Sequence, residues 1–194
     1  MSRISVALTL ALALFVSPAR ADTFAAGSLI IPMDTTYQDA GMLKAYGLVY
    51  NLLSHGVPVR WTINQSKAAQ GNDFTASATD FATSAVITNH GYRGGPFVVD
   101  SANAAAASPF ITAWRTAHPS PATTVHVATA SFMCDVARTL VVAPRIAVFA
   151  DGSQSIAIGY LNAASLPDSN GNPWPAASPD ILTPVEVAGP TTTN

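Results

Sequence analysis

The chain has a single cysteine, a single glutamate (Glu186) and two lysines (Lys44 and Lys67). Charged residues make up 10% of its 194 residues, with 9 Lys and Arg against 11 Asp and Glu and a net charge of −2. An ordinary soluble domain is about 25% charged. Each scarcity excludes something. One cysteine rules out an internal disulfide scaffold and a CxxC zinc site. The lack of a cationic surplus rules out the basic field by which nucleic-acid binders are recognised. No internal segment approaches 18 continuous apolar residues, so the sequence offers no membrane span. No GxSxG elbow, no GxxxxGK[ST] phosphate loop and no HxxxH pair occurs. The chain does have apolar material. It is 49% hydrophobic with a mean hydropathy of +0.30, which excludes disorder as its main state.

Residues 1–21 have the form of a secretory signal peptide. Arg3 supplies the positive start, residues 4–16 are mostly apolar, and Ala19-Arg20-Ala21 fits a small-x-small cleavage site before Asp22. Those 13 residues, as a helix, reach about 20 Å, short of the roughly 30 Å hydrocarbon core. The expected location is therefore secreted or periplasmic, with no membrane attachment after cleavage. Residues 22–188 are expected to form one domain and residues 189–194 a tail.

Local patterns place alternating elements along that domain. Residues 28–33 (SLIIPM) read as a strand and residues 57–63 (VPVRWTI) as another, alternating Val57, Val59, Trp61 and Ile63 with polar or breaking residues. Between them residues 40–54 read as a helix, with Leu43, Tyr46, Tyr50 and Leu53 on one face, Asp39 as candidate N-cap and His55-Gly56 at the end. Gly47 inside that helix implies close packing against a strand. Residues 64–83 read as a polar excursion, 84–88 as a strand, 89–95 as a turn-rich loop and 96–99 as extended. The Ala-rich segment 101–117 reads as helix, split in two at Pro109. Residues 125–133 and 144–149 read as strands and 154–164 as a further helix. Strand, helix and strand in succession predict an α/β fold, a mainly parallel sheet with helices on both faces.

The segment PRIAVFADGSQSIAIGYLNAAS resembles the opening of class I glutamine-amidotransferase-like, flavodoxin-type domains. That resemblance implies a flavodoxin-like parallel sheet. The family's nucleophile elbow, G-x-C-x-G, is missing, since Cys134 lies in FMCDV without flanking glycines. The stretch IPMDTTYQDAGMLKAYGLVYNLLSHGVPVRW, with YRGGPFVVD after it, resembles uncharacterised secreted proteins of bacteria that are often the N-terminal portion of larger polypeptides, which implies that residues 22–188 are the N-terminal part of a longer protein.

Candidate ligand-binding residues follow from position. Asp34 and Asp151 each follow an apolar strand, and open parallel sheets place ligands beyond strand carboxyl ends. With Tyr37, Gln38 and Arg93 they would make a polar site for a sugar or small ion, although an Asp in that position also serves to cap the next helix. Arg93-Gly94-Gly95 combines a guanidinium with backbone N–H groups, a combination suited to a carboxylate or phosphate, or else a tight turn between strands. Cys134 reads as a small buried residue, since nothing near it in sequence lowers its pKa. The histidines lack metal-ligand spacing, and no cofactor or metal is expected. Two readings of function stand. One is a secreted, non-catalytic binding or structural module with a small anionic or sugar ligand. The other is a hydrolase of amide or glycosidic bonds with a site around Asp34, Arg93 and Asp151.

Overall fold

A computed structural model describes residues 21–175 and 178–188. The proposed signal peptide, apart from Ala21, and the proposed tail lie outside those residues. The main body is one eight-stranded sheet that curls into a half-barrel. In chain order its strands are β1 (Ala21–Phe24), β2 (Leu29–Ile31), β3 (Val59–Thr62), β4 (Phe74–Asp80), β5 (Val86–Tyr92), β6 (Phe97–Val99), β7 (His126–Ala128) and β8 (Phe132–Leu140). In space the order is β1-β8-β3-β6-β2-β7-β4-β5, and every neighbouring pair is antiparallel. The parallel, flavodoxin-like α/β sheet expected from the sequence, and the amidotransferase-like resemblance that pointed to it, are therefore corrected.

The reason lies in the connections. Helix α1 (Met42–Ser54) joins β2 to β3, and helix α2 (Ser101–Ala117) joins β6 to β7. β2 and β3 do run the same way, but β6 lies between them and opposes both. Likewise β2 lies between β6 and β7. These are two interleaved split β–α–β units, the connectivity of a ferredoxin-like core. The β4–β5 hairpin is inserted after β3 and extends the sheet beyond β7. At the other edge β8 pairs first with β1 and then with β3.

Strand alternation sends side chains to two separate cores. Leu29, Ile31, Val59, Phe97 and Val99 face the helices and pack with Leu48, Leu52, Ile111 and Trp114. Ile30 and Val98 face into the curl, with Phe24, Phe74, Tyr92, Phe132 and Cys134. Phe74 stacks on Tyr92 and on Phe132, with ring centroids 4.9 Å apart in both cases. On α1 the buried stripe is Ala45, Leu48, Val49, Leu52 and Leu53, so Tyr46 faces outward. Gly47 packs on helices, not on a strand. A Cβ there would stand 1.9 Å from the Ala164 carbonyl and 2.6 Å from the Trp114 ring.

Several boundaries differ from expectation. β4 falls inside the segment read as an excursion, because its inward residues after Phe74 are Ala76 and Ala78 and give little apolar signal. β5 continues through Asn89, His90 and Gly91. α2 is one helix of 17 residues containing Pro109, opened by Asp100, whose side chain accepts from the Ala102 N–H. Asp39 opens a short 3-10 turn (Asp39–Gly41) instead of capping α1, whose cap position is Gly41. Beyond the sheet, β9 (Val148–Phe149), α3 (Gln154–Ala163), β10 (Ile181–Leu182) and α4 (Pro184–Ala188) follow. β9 and β10 pair in parallel as a separate two-stranded unit.

Candidate functional site

Because β2 and β3 are parallel and flank β6, the chain leaving β2, the chain leaving β3 and the turn entering β6 all meet at one end of the sheet. A polar cleft of about 260 Å³ forms there. Met33, Asp34 and Thr35 line it from the end of β2, Lys67, Gln70 and Gly71 from the loop after β3, and Arg93 and Gly94 from the turn before β6. Gly94 and Gly95 have φ of +82° and +74°, a conformation that side-chain-bearing residues rarely adopt. A Cβ at Gly94 would lie 2.5 Å from the Met33 carbonyl, so glycine is what lets the turn close on β2.

The charges around the cleft are unequally engaged. Buried Asp73 accepts from the Asn64 N–H at 3.0 Å and the Gly95 N–H at 3.0 Å, and pairs with Lys67 at 2.7 Å. The glycine turn thus spends one donor on an internal carboxylate. Asp34 is also buried. Its Oδ1 accepts from the Thr36 N–H at 3.0 Å, and its Oδ2 lies 3.1 Å from His90 Nε2. Arg93 is exposed and, among the described residues, has no ion-pair or hydrogen-bond partner.

From Asp34 an array of rings, His90, Tyr37, Tyr92 and His126, runs inward. The Tyr37 ring stands perpendicular to His90 at 4.8 Å and to His126 at 4.4 Å. The Tyr92 hydroxyl is 2.8 Å from His126 Nδ1. His126 has no exposed surface, and its Nε2 has no hydrogen-bond partner. Burial holds the His126 pKa down to about 4, with Asp80 and Asp34 opposing and His90 adding to the shift. Burial, with Tyr37 and Asp34 nearby, pushes the Tyr92 hydroxyl well above its ordinary range. At neutral pH this pair is uncharged, which suits a fully buried position.

The residues singled out from sequence separate into groups. Asp34, Arg93 and Gly94 share the cleft, and Gly95 adjoins it through Asp73. Tyr37 stands in the ring array. Gln38 is buried and clasps the backbone of Thr124, donating to its carbonyl at 2.9 Å and accepting its N–H at 3.1 Å. Asp151 lines a different groove with Gln154 and Tyr160, and accepts from the Ser153 N–H at 2.8 Å in the turn before α3. It does not join Asp34 and Arg93.

Lys67, Asp73, His90 and Tyr92 were not foreseen as neighbours of the site. The period-two spacing of His90 and Tyr92 puts them on one strand face, a signal hidden while residues 89–95 read as a loop. Cys134 is buried in the curl, and burial with Asp135, Asp22 and Asp73 nearby pushes its thiol up to about 12. It is therefore not poised as a nucleophile. Among the described residues no three His, Cys, Asp or Glu side chains come together as a metal site. No protein-family model, curated protein or solved structure matches this chain.

Proposed function

We propose that this half-barrel is a non-catalytic binding module, secreted or periplasmic, whose cleft takes a small anionic ligand. A carboxylate ligand pairs with Arg93, and Thr35 and Gln70 supply further polar contacts on the opposite walls. The observation that carries this reading is the unpartnered guanidinium of Arg93 on the wall of a polar cleft. Of the other charged groups there, Lys67 is already paired with Asp73 and Asp34 lies against His90. A fork of N–H donors without a partner matches a carboxylate in two-point contact.

The test is a calorimetric titration of the chain with propionate at low salt, repeated on Arg93→Gln. Hydrogen bonds to charged groups contribute about 1.5–3 kcal/mol, so the variant should bind at least tenfold more weakly. Arg93 is exposed, so the variant should keep its circular dichroism and unfolding midpoint. Equal affinity in the two proteins, or no propionate binding at all, would rule the reading out.

A further inference from the structure

Trp61 stands against Gly95, the residue after the cleft-lining Gly94, and is 37% exposed. It belongs to β3, just before the loop that supplies Lys67, Gln70 and Gly71. Its ring is held from below. Phe97, itself buried, lies under it with centroids 6.4 Å apart and planes inclined by 23°. Tyr46 in turn meets Phe97 edge-on at 5.9 Å. The indole N–H edge borders the glycine turn, since a Cβ at Gly95 would stand 2.8 Å from Trp61 Nε1. Gly95 is adjacent in sequence to Gly94, which lines the cleft, and two residues from Arg93. An exposed aromatic ring therefore stands against the glycine turn that also carries Arg93 and, through Gly94, borders the polar cavity.

We infer that the ligand is an acidic sugar, a uronic acid whose pyranose ring rests on Trp61 while its carboxylate pairs with Arg93. This rests on the reading of the cleft as an anion site and adds to it a subsite that the anion alone does not use. A pyranose has an apolar C–H face and a polar rim. The first calls for a flat, rigid aromatic surface and the second for hydrogen-bonding groups at that surface's edge. Trp61 provides the surface, and Arg93, Thr35 and Gln70 line the cleft bordered by the same glycine turn. An aliphatic carboxylate would use Arg93 and leave Trp61 bare. A neutral sugar would use Trp61 and leave the guanidinium unpaired.

The experiment titrates the full chain with D-glucuronate, D-glucose and propionate. It is followed by calorimetry and by tryptophan fluorescence, and repeated on Trp61→Ala, Trp61→Phe and Arg93→Gln. Trp114 and Trp174 are buried, so a ligand-dependent change in emission reports on Trp61. The expected result is glucuronate binding at least tenfold tighter than either control, with a change in emission. Trp61→Ala should bring glucuronate to the level of propionate without altering propionate itself, and Trp61→Phe should restore most of the difference. If Trp61→Ala leaves glucuronate unaffected while propionate still depends on Arg93, the sugar subsite is wrong and the anion cleft stands. If glucose binds as tightly as glucuronate, the acidic-sugar assignment is wrong. If neither glucuronate nor propionate responds to Arg93→Gln, the anion cleft fails and this inference with it.

Discussion

His126 shows how a single residue in the ring array links the fold to pH. In the unfolded chain its imidazole takes a proton at the ordinary value of 6.5, and in the folded protein only near 4. Between those values the unfolded state holds the extra proton and is favoured by it. The stability present above pH 6.5 is thus lost progressively as the pH falls toward 4, by about 3 kcal/mol in all. Urea unfolding of the chain and of His126→Gln, measured from pH 7 to pH 4, tests this. The wild type should lose more stability than the variant over that interval, by about that amount. Parallel stability curves for the two proteins would place the pH sensitivity elsewhere. The sequence shows His126 between two valines, hence on the opposite strand face. It does not show that this face lines a closed interior, because that depends on Tyr37, from the chain after β2, and Tyr92, from β5, packing against it.

Among the elements, α1 carries the clearest consequence of close approach. Gly47 sits where α1, α2 and the end of α3 meet, and the neighbour nearest its missing Cβ is a backbone carbonyl, that of Ala164. A helix-interior Gly→Ala change gains about 1 kcal/mol from propensity, but overpacking costs about 1–3 kcal/mol, and at this site the contact falls far inside van der Waals range. Gly47→Ala should therefore destabilise the protein by about 2 kcal/mol. Gly159 in α3 has nothing within 4 Å of an added Cβ. Gly159→Ala should stabilise by about 0.5–1 kcal/mol. Thermal unfolding of the two variants checks the pair, and shifts of the same sign would contradict the packing at Gly47. The helices were largely legible in the sequence, because their apolar periodicity is local. The strand β4 was not, since its buried positions after Phe74 are Ala76 and Ala78, which carry little apolar signal. Pro109 was misleading for a related reason. The rest of α2 packs well enough on the sheet, through Ala107, Ile111 and Trp114, to keep the helix continuous across it.

At the scale of the molecule, the error in fold class came from the pairing of strands. The run β2–α1–β3 reads the same whether its two strands lie side by side or admit β6 between them. Only the non-local pairing of β6 with both decides the sheet direction. That same insertion brings the turn Arg93-Gly94-Gly95 against the end of β2. Asp34 and Arg93 thus share a cleft for a reason other than the switch point of a parallel sheet. Asp151, which would join them only in such a sheet, lies in another groove. The assignment of the cleft as the ligand site is tested by a propionate titration followed by amide and side-chain NMR. Thr35, Gly71, Arg93 and Gly94 should shift together along one saturable curve while the residues around Asp151 stay fixed. Shifts centred on Asp151, or none at the glycine turn, would contradict it.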